Sequence, residues 1–318
     1  MRIDERKVLK LENIISEILP LTADTSQFNR VFIPIEHDFS LELANENNLN
    51  IYHLRTENRR FKYEDLTNFC VGNLSQYIFN RKTVKQAKSQ ADIQILYNRG
   101  RKQLREVRNE NDSGELGELL LYLFLENCLH APKLLSKMEI KTTRNQYIYG
   151  ADGLHLYMTK DKYGNMLYQF VIGEAKIKND ILDATRVAFD SIRKSIDEID
   201  IETALVSEEI LKEVCTKEDA EKLIEVILPS EDIADKFTTS EKAIGLFIGY
   251  TGDYDEDIDN ASWNKKINDK IKKDIERAVD TIKKKIDGLS LKGYSFYCYY
   301  LPFNDAEKDR KTIMDNII

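Results

Sequence analysis

Apolar positions along this chain change their period several times, and each change marks an element. Leu66, Phe69, Cys70, Leu74 and Ile78 recur every three to four residues, which predicts helices through 63–108. Leu116 to Leu125 is apolar at almost every position except Gly117 and Glu118, so it predicts a helix buried on most sides, ended by Pro132. Runs of β-formers then predict strands at Lys137–Thr143, Gly153–Met158 and Leu167–Lys176, the last two joined by a turn at 160–165. Asn179-Asp180 offers an N-cap for a helix to about Ile199, with Ala184, Ala188, Ile192 and Ile196 on one face. A strand at Ala243–Tyr250, a long helix from Ser262 to Ile286 and an aromatic strand, Tyr294–Leu301, stopping at Pro302 complete the succession. Before all of these, residues 1–60 mix a short amphipathic helix, about Val8 to Ile18, with strand-like pieces such as Arg30–Ile35, where Pro34 points to an edge or an irregular segment.

These periods divide the chain into an α-rich accessory region, 1–110, and an α/β (α+β) core, 111–318, opening at Ser113. Acidic helices at 207–228 form an insertion, about 201–240, before the fourth core strand. A chain of 318 residues, 42% hydrophobic, is long enough to bury a large core. Its net charge of −8 gives no global sign of a nucleic-acid partner, but the charge is unevenly placed. Arg81 to Arg108 holds nine Lys/Arg against Asp92 and Glu106, whereas Ile196 to Asp259 holds five Lys against twenty acids. That asymmetry suits an electrostatic footprint beside an acidic lobe, or two solvated faces. Four cysteines without C-x-x-C spacing read as reduced thiols, and the four histidines lack zinc-site spacing. No window approaches 18 apolar residues, and a soluble, cytoplasmic protein is expected.

The chemistry concentrates in Gly150-Ala151-Asp152-Gly153 and Gly173-Glu174-Ala175-Lys176. Strand alternation projects Glu174 and Lys176 to one side and Ala175 to the other. Two carboxylates and an ammonium at a sheet edge suit phosphodiester cleavage: the acids hold Mg²⁺ (or Mn²⁺), the metal generates a hydroxide, and the lysine orients water or offsets phosphate charge. Asp152 and Glu174 are the expected direct ligands, with the Ala175 carbonyl as a third oxygen. Lys176 is expected to have a pKa lowered by partial burial. Glu118, within the apolar helix, is the expected holder of a metal-bound water or a second metal; Glu115, one turn earlier, is the alternative. Taken singly, E-x-K triplets and Gly-Ala-Asp-Gly turns are common and usually structural; their order and joint occurrence carry the reading. Elsewhere the alternating Asp253 to Asp259 lack the Gly and Glu of a Ca²⁺ loop, the lysines of 264–286 are interleaved with acids, and His155 suits a packed histidine better than a substrate contact.

This D-(x)n-E-x-K pattern resembles that of the restriction-endonuclease-like nucleases, whose mixed sheet flanked by helices has the same helix–strand–strand–strand–helix–strand order. Gly114-Glu115-Leu116-Gly117-Glu118, Tyr149 to His155 and Ile172 to Lys176 further resemble the HamA family, the nuclease component of Hachiman anti-phage defence, over roughly 110–303. The resemblance implies a metal-dependent DNase working in a complex with a superfamily 2 helicase (HamB-like) and restrained until that helicase engages DNA. The acidic lobe and the N-terminal helices would then be candidate helicase contacts. Two rivals remain: a non-catalytic subunit that binds DNA or a partner through a nuclease-like fold, and a nuclease directed at RNA, since metal chemistry acts on phosphate and not on sugar.

Overall fold

The β-forming run before Lys176 becomes the middle of a seven-stranded sheet. The computed structural model describes residues 13, 15–107, 114–136, 138, 150–164, 166–197, 216–227, 238–254 and 257–318. Its elements begin with α1 (Phe28–Val31), β1 (Phe32–Pro34), β2 (Asn47–Leu54), and the short pair β3 (Thr56–Glu57) and β4 (Arg60–Phe61). Three helices follow, α2 (Tyr63–Ile78), α3 (Arg81–Gln86) and α4 (Gln90–Val107). The expected core then runs through α5 (Glu115–Asn127), β5 (Lys133–Ser136), β6 (Gly153–Lys160), β7 (Met166–Lys178) and α6 (Ile181–Ser195). The chain continues with α7 (Lys217–Ile227), β8 (Thr238–Thr251), α8 (Asn260–Gly288), β9 (Ser295–Phe303) and α9 (Ala306–Ile317).

Strand order is β1-β2-β9-β8-β7-β6-β5. The four central strands β2, β9, β8 and β7 are mutually parallel, while β1 at one edge and β6 and β5 at the other are antiparallel to their neighbours. Adjacent parallel strands require crossovers, and α6 (β7 to β8) and α8 (β8 to β9) supply them; being right-handed, they lie on one face and pack together. On the other face α5 packs over β7 and β8, with α2 and α9 beside it. Strands covered on both faces read as unbroken apolar runs, and all nine residues of β9 are buried. The fold is the mixed α/β sheet flanked by helices that the sequence predicts, with helix–strand–strand–strand–helix–strand realised as α5–β5–β6–β7–α6–β8.

Several boundaries differ. The helical periodicity of 63–108 is borne out by α2, α3 and α4, but the region ahead of it also supplies β1 and β2, so the segments 1–110 and 111–318 share one sheet. β9 passes through Pro302, which pairs with Tyr250 of β8; pairing with β2 has already ended at Tyr300, so the missing N–H breaks no bond on that side. The first β-strand of the core lies at Lys133–Ser136; of the predicted Lys137–Thr143 only Met138 is described. The start of the Val8–Ile18 helix, Ser113 and most of the acidic insertion lie outside the described residues, α7 being the described part of that insertion. Among the described residues no helix is long and apolar enough to cross a membrane.

A buried polar clasp fixes the N-terminal segment to the core. The fully buried Glu126 carboxylate accepts from the Thr22 hydroxyl and from the N–H groups of Ala23 (2.6 Å) and Lys133 (2.8 Å). Arg81 reaches it at 3.8 Å and donates to the carbonyls of Lys133 (2.6 Å) and Pro20 (3.1 Å). Lys133, also fully buried, donates its ammonium protons to the carbonyls of Gln76 and Phe79 at the end of α2. Buried charges persist only when paired and hydrogen-bonded in this way.

Candidate active site

Asp152 arrives at the sheet from a tight turn. Gly150 holds φ +91°, a conformation that L-residues rarely adopt, and a Cβ there would stand 3.1 Å from Ser195 at the end of α6. In the β6–β7 ladder Gly153 faces Gly173, so extending the antiparallel register by one residue sets Asp152 beside Glu174. The Asp152 N–H donates to the Gly173 carbonyl (2.9 Å), and its carboxylate Oδ2 accepts the Ala175 N–H (2.7 Å). The aspartate is thus bonded to the peptide lying between Glu174 and Lys176.

Glu174 and Lys176 share a face of β7, as alternation requires, and the Lys176 ammonium donates to Glu174 Oε1 at 2.5 Å. Their environments differ: the Glu174 side chain is 3% exposed and that of Lys176 is 26% exposed. The carboxylate is therefore buried while the ammonium opens toward solvent. Next along the same face, Lys178 pairs with Asp183 of α6 at 2.9 Å.

Glu118 approaches from the opposite face. Gly117 lets α5 sit directly on β7, since a Cβ there would be 3.2 Å from Ala175 Cβ and 3.5 Å from Ile177 Cγ1. Gly117→Val is expected to lift α5 from β7 and to cost about 1–3 kcal/mol, measured by chemical denaturation. Beside Gly117, the Glu118 carboxylate is buried and accepts a hydrogen bond from the Tyr77 hydroxyl at 3.1 Å. Burial first, then the Glu118 charge, then Asp152 and Glu115, push the Tyr77 phenol far above its ordinary range. Tyr77 therefore stays a proton donor, and the Glu118 carboxylate accepts its hydrogen bond. Glu115 is as deeply buried as Glu118, so depth in the apolar helix does not separate them; the Tyr77 bond belongs to Glu118. Tyr77→Phe removes a donor to a charged group and is expected to lower stability by about 1.5–3 kcal/mol in the same assay.

The structure thus gathers Asp152, Glu174 and Lys176 around one peptide, while Glu118 on α5 bonds Tyr77. Tyr77 escaped the sequence reading; the available signal was a phenol on the buried stripe of α2, whose hydroxyl needs a partner. Among the described residues no three His, Cys, Asp or Glu side chains are already gathered as a metal cage. The donors at Asp152 and Glu174 are nevertheless hard oxygens that fit Mg²⁺, which keeps several waters and needs only one or two carboxylates. Softer donors are engaged elsewhere. His155 is buried, its Nδ1 2.8 Å from the Ala131 carbonyl oxygen, and Cys70 and Cys298 are buried free thiols. In the run Asp253 to Asp259, Asp259 caps α8 by accepting the Ser262 N–H at 3.0 Å. Lys283 and Lys285 of α8 pair with Glu42 and Asp190.

Comparison with curated proteins and with solved structures returns no match. Comparison with family models is informative: the model of HamA, the Hachiman system protein, matches residues 28–317, and this chain belongs to the HamA family.

Proposed function

We propose that this protein is a metal-dependent nuclease that hydrolyses DNA phosphodiester bonds in anti-phage defence, acting within a complex with a superfamily 2 helicase. Family membership supports the defence role. The observation that carries the chemistry is the Asp152 carboxylate bonded at 2.7 Å to the peptide N–H between Glu174 and Lys176. In this reading Asp152 and Glu174 would hold Mg²⁺, and Glu118 would hold a metal-bound water or a second metal. The chemistry that such a cation supplies is Lewis acidity toward the phosphate and a more acidic attacking water.

The chain's own groups supply the rest. The Lys176 side-chain nitrogen reaches Glu174 Oε1 at 2.5 Å. Its partial exposure lets it orient the attacking water and offset the charge that develops on the phosphate. The Asp152–Ala175 bond fixes the aspartate carboxylate against β7. Tyr77 fixes Glu118 Oε2 in the same manner.

The test is incubation of the purified chain with plasmid DNA, linear DNA and matched RNA, with Mg²⁺, Mn²⁺ or EDTA, alone and with the helicase and ATP. DNA cleavage that needs the metal and stops with EDTA is the expected result. Cleavage of RNA in preference to DNA reassigns the substrate, and inertness in every condition favours a non-catalytic binding subunit.

A further inference from the structure

The described residues of 81–107 carry a net positive surface. Lys82, Lys85, Lys88, Arg99 and Lys102 are all exposed, in a chain whose net charge is −8, while Arg105 donates to the Ile318 carbonyl oxygen. The two acids in this stretch are Asp92, engaged with Ser89 at the start of α4, and Glu106, which meets Lys102 at 3.8 Å. That pair is well exposed on both sides and neutralises little. The lysines of α8 differ, being interleaved with Asp269, Asp274, Glu276 and Asp280.

Position matters as much as charge. On α4, Arg99 and Lys102 lie three residues apart on one stripe, with Ile95, 59% exposed, one turn before Arg99. The same helix packs against the end of α2: a Cβ on Gly100 would be 3.2 Å from Ile78, and the Arg99 guanidinium lies 5.4 Å from the Phe79 ring centre. Two residues before Phe79, Tyr77 bonds Glu118. The cationic stripe therefore lies beside the end of α2, the helix whose Tyr77 bonds Glu118.

We infer that the exposed basic face of α3 and α4 is a docking surface for the phosphodiester backbone of duplex DNA. The inference rests on the nuclease reading for its choice of partner. Ammonium and guanidinium groups on a helix stripe neutralise successive phosphates and release condensed counterions, which gives affinity without sequence preference.

The experiment measures binding of a short fluorescein-labelled duplex to the full chain in EDTA, so that cleavage plays no part, across a series of salt concentrations. A variant of α4 and the link ahead of it, Lys88→Gln/Arg99→Gln/Lys102→Gln (the α4 variant), is compared with wild type and with Lys265→Gln/Lys273→Gln/Lys284→Gln on α8, after thermal melts confirm folding. The α4 variant is expected to bind about tenfold or more weakly, with a salt slope shallower by roughly one for each phosphate that is no longer neutralised, while the α8 variant binds as wild type. Equal binding by the α4 variant, equal weakening in the α8 variant, or no binding by wild type overturns the inference. Because no cleavage is scored, these outcomes are distinct from failure of the nuclease reading.

Discussion

Asp152→Asn is expected to reduce metal-dependent DNA cleavage by about 10³-fold or more, a loss of roughly 4 kcal/mol of transition-state stabilisation. The substitution is informative because it separates charge from architecture. An asparagine carbonyl still accepts the Ala175 N–H, so the turn and the β6–β7 register remain. What disappears is the negative charge that a cation requires at this position. The melting temperature should stay within about 2–4 °C of wild type, the shift that corresponds to roughly 1 kcal/mol in a domain of this class. Cleavage assays on a linear duplex, beside a thermal melt, check both halves. An Asp152→Asn protein that cuts at the wild-type rate removes Asp152 from the site.

Glu126→Ala is expected to be the most destabilising single change outside the site. It strips the acceptor from the Ala23 and Lys133 N–H groups and from the Thr22 hydroxyl, and it leaves Arg81 buried beside Lys133 without the carboxylate between them. Removing one partner of a buried charged network costs about 3–5 kcal/mol. That corresponds to a fall in melting temperature on the order of 10 °C, readable by circular dichroism. Glu126→Gln, which keeps an acceptor oxygen, should lose less. A shift below about 2 °C for Glu126→Ala would mean that the clasp contributes little to holding the N-terminal segment.

What the sequence discloses and what it hides follow from distance along the chain. Asp152, Glu174 and Lys176 are legible because a glycine turn and strand alternation are local rules, and together they place three side chains around one peptide. The helices α2, α5, α6 and α8 are legible for the same reason, their periodicity being written within each segment. β2 is not: Asn47, Asn48 and Asn50 weaken its β-signal, and its stability comes from parallel pairing with β9, about 250 residues later. Tyr77 and Glu118 are 41 residues apart, so only the packing of α2 on α5 joins them. α9 is half charged and is fixed by buried Ile313, Met314 and Ile317, an apolar stripe too short to stand out in the sequence.

The buried clasp shows a subtler limit. Arg81 enters the count of positive charge between Arg81 and Arg108, yet it is 3% exposed and faces Glu126 and backbone carbonyls. Charge counted along a chain overstates what a partner can touch.

The central claim is that Asp152, Glu174 and Lys176 form a metal-dependent nuclease site, and the most direct measurement is cleavage of a labelled linear duplex by wild type, Glu174→Gln and Lys176→Ala, with Mg²⁺ or EDTA, in the presence of the partner helicase and ATP. The account predicts cutting by the wild type with Mg²⁺ alone among these conditions, and loss in both variants while their folds persist. Variants that cut as fast as wild type, or a wild type that stays silent with both metal and helicase supplied, would contradict it.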